Sequence, residues 1–236
     1  DRSQRRPRPD TRRLAWRGRQ GDVMGAIMRA SLATITVVSI AGVALRLIGL
    51  WGRIDGALQQ LESEEGQLRF LEGPLGPFVA RHYAPLGAWL YAAYAKGIDL
   101  RPDDEVVDVA CGSGVFLAKH AQHVRRIAGL DQSRAMIDQA HEENRERIAD
   151  GTAEFVVGDA AALPRDDDSF TVVTSNDTAC YEATAPAAIR EMYRVLKPGG
   201  RAVVGQDRCG MLEEAGFRRV SGRHVMGAYL TTGYKD

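Results

Sequence analysis

Three of four apolar runs break at an acid or amide, and the spacing points to one kind of ligand. Val106-Val107-Asp108-Val109 leads into Ala110-Cys111-Gly112-Ser113-Gly114. The glycines of that turn let the backbone fold tightly and let a ligand approach without intruding Cβ atoms. Seventeen residues beyond Gly114 a second apolar run ends in Asp131, an acid able to accept hydrogen bonds from both hydroxyls of a ribose. A third run ends at Gly158-Asp159-Ala160 and a fourth at Ser175-Asn176-Asp177. A dinucleotide is disfavoured on one detail: its G-x-G-x-x-G fingerprint requires a third glycine where this chain has Leu117. A ribose-bearing ligand without a pyrophosphate fits better, with Asp108 near a cationic group. The plainer reading of Asp108 or Asn176 is a turn or strand-end cap.

The elements that must position these residues are legible as alternating periods. Strands are expected at EVVDVA (105–110), RIAGLD (126–131), AEFVVGD (153–159), FTVVTSN (170–176) and RAVVGQ (201–206). Helices are expected at 114–124, 133–149 (Ser133 as N-cap), 186–196 and 211–217, with further strands in 217–235. Lys197-Pro198-Gly199-Gly200 is a strong helix stop. Strands alternating with helices at this spacing imply βαβ units and a mainly parallel, doubly wound α/β sheet. Ligands on such sheets bind outside the carboxyl ends of the strands, where three of the four strands present an acid or amide.

The sequence resembles the class I S-adenosylmethionine-dependent methyltransferases, in the type 11, ubiquinone/menaquinone-methyltransferase-like branch. VVDVACGSG, IAGLDQSRAM, EFVVGDAAALPRDDDSF and REMYRVLKPGGRAVV resemble four of its motifs in order and spacing, over residues 102–206. The resemblance implies a seven-stranded sheet with helices on both faces, and S-adenosyl-L-methionine as cofactor. It implies that the Asp108–Gly114 loop (Asp108, Ala110, Cys111, Gly112, Ser113, Gly114) holds the methionine portion, with Asp108 near the amino group. Asp131 would take the ribose hydroxyls, with Gln132 and Met136 beside the sugar and adenine. Asp159 would accept from the adenine amine, aided by the Ala160 amide, and Asn176 would lie under the sulfonium, facing the acceptor. Ala110 stands where many relatives have glycine, a change expected to matter little. Only Asp207, Arg208, Cys209 and Gly210 separate the fifth strand from MLEEAGF, where many relatives carry a long acceptor-covering insertion. The acceptor site is then open, or the N-terminal segment acts as its lid.

The expected reaction is methyl transfer to a small-molecule or lipid-like acceptor, by in-line displacement that mainly needs alignment and exclusion of water. The alternatives are a non-catalytic cofactor-binding protein recruited to a membrane or partner, and a nicotinamide oxidoreductase. No catalytic residue is assigned; His82, Tyr83, Asp177 and Tyr181 are the candidate bases near the edge.

The front of the chain has another character. Residues 1–56 hold eleven Arg and four acids, a net charge of +7, which leaves −7 for the remainder of a chain that is neutral overall. That balance argues against a nucleic-acid partner. Residues 1–23 are Arg- and Pro-rich, precede the first methionine (Met24), and are expected to be a disordered tail outside the fold. Residues 24–72 are read as an apolar helix and a charged connector, forming an N-terminal helical extension, and 73–236 as the cofactor-binding domain. Ala30–Leu45 carries no charge, and the run resumes after Arg46 to Trp51. Residues 30–51 therefore contact a membrane, by spanning it or lying in its interface, or pack as a soluble helix. The expected location is cytoplasmic, with or without membrane association. Tyr83, Trp89, Tyr91 and Tyr94 read as packing residues. Cys111, Cys180 and Cys209 are too widely spaced for a disulfide framework, and the histidines lack metal-ligand spacing, so no metal is expected.

Overall fold

The computed structural model describes residues 64–82, 88–176 and 184–236. The expectations for residues 1–23 and 30–51, and those on Tyr83, Asp177, Cys180 and Tyr181, lie outside the described residues. Seven strands form one sheet in the order β3-β2-β1-β4-β5-β7-β6. They are β1 (Glu105–Val109), β2 (Arg126–Asp131), β3 (Ala153–Val157), β4 (Phe170–Ser175), β5 (Leu196–Gly205), β6 (Arg218–Val225) and β7 (Ala228–Tyr234). The first five pair in parallel, and β7 runs antiparallel between β5 and β6. This is the mainly parallel, doubly wound sheet that the alternation implied.

The central strands are apolar on both sides because helices cover both faces. Helices α1 (Glu64–Leu71), α2 (Gly76–His82) and α3 (Ala88–Ile98) precede the sheet. Next in the chain are α4 (Val115–His120), α5 (Arg134–Glu143), α6 (Arg145–Ala149), α7 (Ala185–Val195) and α8 (Cys209–Glu214). On one face Tyr94, Ile98, Phe116, Leu117 and Ile137 pack against Val106, Ile127, Val172, Val203 and Leu230. On the other, Ile189, Met192, Leu212 and Phe217 pack against Val107, Val109, Leu130, Val173 and Val204. Tyr94 is buried as expected, but Trp89 is 52% exposed; it sits in the first turn of α3, before that helix reaches the sheet.

Several boundaries differ from the sequence reading, each for a physical reason. The helix expected over 133–149 is two, broken at Asn144, whose buried side chain donates to Gly114 O at 3.3 Å and to Ala140 O at 3.0 Å. Ser133 does cap its start, accepting from the Met136 amide. The helix expected over 114–124 stops at His120, because Arg147 takes the carbonyls of Ala121 (2.7 Å) and Val124 (2.9 Å). A guanidinium fork supplies what a further helical turn would have supplied. The Lys197–Gly200 stop lies inside β5, as an excursion between the Leu196–Phe170 and Arg201–Val172 pairings. Pro198 has no amide to donate, and Gly199 adopts φ 80. Helix α8 begins two residues before its expected start and ends at Glu214.

Candidate functional site

The carboxyl ends of β1, β2, β3 and β4 bring the predicted polar residues to one edge, at the point where strand order reverses between β1 and β4. After β1 the chain makes three left-handed steps, at Ala110 (φ 59), Gly112 (φ 54) and Gly114 (φ 68). The two glycines serve different ends. A Cβ on Gly114 would come within 2.8 Å of both Ala140 Cβ and Asn144 Nδ2, so its bareness lets the turn seat on α5. A Cβ on Gly112 would meet no heavy atom within 4 Å. The backbone there faces open space, and a ligand can lie directly against it.

Ala110 is a correction to the sequence reading, which expected its replacement of glycine to matter little. An L-residue in the left-handed region carries about 1–2 kcal/mol of steric strain. Ala110→Gly is therefore expected to raise stability by about 1 kcal/mol or somewhat less, after the greater chain entropy of glycine is subtracted. A differential scan should show a rise in Tm of roughly 2–4 °C or a little less; an unchanged or lower Tm would contradict the assigned strain.

Asp131 ties two turns together. Its Oδ2 accepts from the Gly112 amide at 2.9 Å and its Oδ1 from the Ser133 amide at 2.9 Å. Burial pushes its carboxyl above the usual range, against the amides of Ser133, Gly112 and Gln132, which favour the ionised form; the nearby Glu72 carboxylate adds to the rise. A carboxylate held at a strand end against burial is disfavoured unless a further donor arrives. Gln132 is half-buried and Met136 is buried on the first turn of α5. Glu72, between α1 and α2, accepts from the Arg134 amide at 2.8 Å and so docks the N-terminal helices on this edge.

The neighbouring strands complete the edge. Val157 pairs with Asp131, which places Asp159 two residues beyond that pairing. Asp159 is exposed and closes its own turn by accepting from the Ala161 amide at 2.8 Å, while Ala160 is buried. Asp108 is 2% exposed and accepts from Thr174 Oγ1 at 2.7 Å, across the β1–β4 pairing. Asn176, also buried, follows β4, and its carbonyl lies 3.5 Å from the Tyr94 hydroxyl. Cys111 turns its thiol toward Gly129, where a Cβ would lie 2.8 Å from Sγ. Burial, with the charges of Asp131 and Asp108, pushes that thiol well up, so it is a neutral packing group and the residue offers the edge only its backbone.

Of the candidate bases, His82 bonds through Nδ1 to Phe78 O at 2.8 Å and stacks on the Phe78 ring. Sequence reasoning missed Thr174, Asn144 and Glu72. Thr174 carried little signal, as one of three hydroxyl residues in a strand that reads FTVVTS. Asn144 sat inside an apparently continuous helical pattern, and nothing in the sequence links Glu72 to Arg134.

Residues 107–204 match a family model described as a methyltransferase domain. Among curated proteins, the chain is 29% identical over 131 residues to a malonyl (acyl-carrier protein) O-methyltransferase of Serratia marcescens, covering 55% of this chain and 49% of that protein. It is 36% identical over 110 residues to a demethylmenaquinone methyltransferase of Symbiobacterium thermophilum, covering 44% and 42% respectively. The chain thus spans half or less of the length of these curated relatives. A solved chain from the Haloferax volcanii complex between the Trm112 methyltransferase activator and a methyltransferase is similar at a TM-score of 0.58 and 22% identity, over 70% of this chain and 96% of that one. At that identity the likeness concerns the fold, which alone does not decide a reaction.

Proposed function

From the match of residues 107–204 to a methyltransferase domain, we propose that the protein transfers a methyl group from S-adenosylmethionine to a small-molecule or lipid-like acceptor. The observation that carries the reading is the Asp131 carboxylate bonded to the Gly112 amide, beside a turn whose open side a Cβ would otherwise fill. A ribose hydroxyl pair on Asp131 relieves a carboxylate that burial disfavours. The Asp108–Gly114 turn, through Ala110, Cys111, Gly112 and Ser113, holds the amino-acid portion. Gln132 and Met136 flank the sugar and adenine, and Asp159 accepts from the exocyclic amine beside the Ala160 amide. Asn176 faces the acceptor side.

S-adenosylmethionine supplies a methyl group already activated by its sulfonium. What remains for this chain is to bind, orient and exclude water, and no general base is assigned. Of the curated relatives named above, one acts by its name on demethylmenaquinone, which supports an acceptor of lipid-like kind, and the other on a malonyl group borne by an acyl-carrier protein. The cofactor-binding domain runs over 73–236, in a protein of the cytoplasm. Among the described residues no helix is long and apolar enough to cross a membrane. Residues 30–51, uncharged but for Arg46, are the segment that would hold the domain at a membrane surface and bring it to an apolar acceptor.

Methyl-labelled cofactor incubated with a cell extract and a lipid extract tests the proposal. Label transferred to a low-molecular-weight or lipid product supports it. Tight cofactor binding without turnover on either extract would favour a non-catalytic binding protein instead.

A further inference from the structure

The helix that follows Asp131 begins by sharing its amides between two carboxylates. The Ser133 amide donates to Asp131 Oδ1 at 2.9 Å, and the next amide, that of Arg134, donates to Glu72 Oε1 at 2.8 Å. The Arg134 guanidinium is engaged on Asp138 at 2.7 Å, so the bond described for Glu72 is to backbone. The helix dipole favours an anion at this end of α5, and the bond to a first-turn amide is charge-assisted. It ties the arm formed by α1 and α2 to the turn that carries Asp131, Gln132 and Met136.

Among the described residues, neither apolar cluster that covers the sheet includes a residue of α1 or α2. Helix α3, by contrast, gives Ala93, Tyr94 and Ile98 to one of them. The arm's seat is α5: a Cβ on Gly76 of α2 would lie 3.4 Å from Ala135 Cβ, and α1 rests on α2. The arm and the candidate cofactor site therefore share the first turn of α5. Their carboxylates also sense one another, since burial raises the Asp131 carboxyl and the Glu72 charge adds to the rise. Ribose hydroxyls donating to Asp131 would draw on its charge and ease that repulsion. A bound ligand then favours the docked arm, and the docked arm favours the ligand to the same degree.

We propose that Glu72 is a positioning residue for the cofactor, latching the α1–α2 arm to the start of α5 so that arm docking and ligand binding at Asp131 reinforce each other. The assignment rests on the reading of this edge as an S-adenosylmethionine site. It gives the N-terminal helices a part in cofactor binding without any contact between Glu72 and the ligand.

The test uses the full chain with S-adenosylhomocysteine as the probe, followed by hydrogen exchange and by calorimetric titration. In wild type, saturating ligand should slow exchange of the amides of residues 64–82 about five- to tenfold, the low end for coupled sites. Glu72→Ala should lose that protection and bind the ligand more weakly by about the same factor, because the coupling is reciprocal. Glu72→Gln keeps a neutral acceptor and should fall between the two. Exchange in β1 and β4 should match wild type in both variants, which shows that the sheet is intact. A merely structural latch would speed exchange of the arm in Glu72→Ala and leave ligand affinity within about twofold of wild type. That result, or a wild-type arm whose exchange ignores the ligand, would overturn the assignment alone. A wild-type protein that fails to bind S-adenosylhomocysteine would overturn the cofactor reading beneath it, and the assignment with it.

Discussion

Asp131→Ala is expected to weaken S-adenosylhomocysteine binding by about 10²–10⁴-fold. A hydrogen bond to a charged group is worth roughly 1.5–3 kcal/mol. Loss of the two proposed ribose contacts therefore removes about 3–6 kcal/mol, at 1.4 kcal/mol per tenfold. Asp131 also bonds the Gly112 and Ser133 amides, so a melting curve must accompany the titration. The dependence on pH separates the two roles. Burial raises the carboxyl above its ordinary 3.8, so the folded chain takes up this proton more readily than the unfolded chain. The ionised group thus subtracts from the stability of the ligand-free protein at neutral pH, and that penalty fades as pH falls through the raised pKa toward 3.8. Ligand affinity runs the other way and weakens over the same interval, because a protonated carboxyl is a poorer acceptor. Calorimetric titrations between pH 7 and 4 should show wild-type affinity falling while the much weaker affinity of Asp131→Ala stays flat. Parallel profiles would remove Asp131 from the ligand.

Gly112→Ala should separate binding from folding more sharply. The left-handed φ of 54 makes alanine there strained, by about 1–2 kcal/mol. The added methyl meets nothing in the protein itself. The variant should fold, with Tm lowered by a few degrees, yet bind S-adenosylhomocysteine about 10–100-fold more weakly, since a methyl forced against a ligand seated there costs about 1–3 kcal/mol. Gly114→Ala is the control with the opposite logic: its methyl collides with Ala140 and Asn144 at 2.8 Å, so its damage should show first in the melting curve. Equal affinities of wild type and Gly112→Ala would mean that no ligand lies against that backbone.

Much of this edge was legible before any coordinates. Short apolar runs with helical runs between them specify the parallel sheet, and the polar residues ending three of those runs mark the carboxyl edge. Asp131 and Asp159 follow from that pattern alone. What the pattern does not carry are contacts between residues distant in sequence. Asn144 breaks a helix because its amide is needed under Gly114, thirty residues earlier. Thr174 fixes Asp108 only because β1 and β4 are neighbours, and strand order is not written in local periodicity. The strain at Ala110 is invisible for another reason: composition names the residue, and only the backbone angle shows that glycine would suit it better.

The central claim is that the edge formed by Gly112, Asp131 and Asp159 binds the adenosyl and amino-acid parts of S-adenosylmethionine. Calorimetric titration of the folded protein with S-adenosylhomocysteine and, separately, with NAD tests it most directly. The account predicts one saturable site for S-adenosylhomocysteine, no detectable heat from NAD, and loss of the first signal in Asp131→Ala. Binding of NAD, or an Asp131→Ala protein that keeps full S-adenosylhomocysteine affinity, would contradict it.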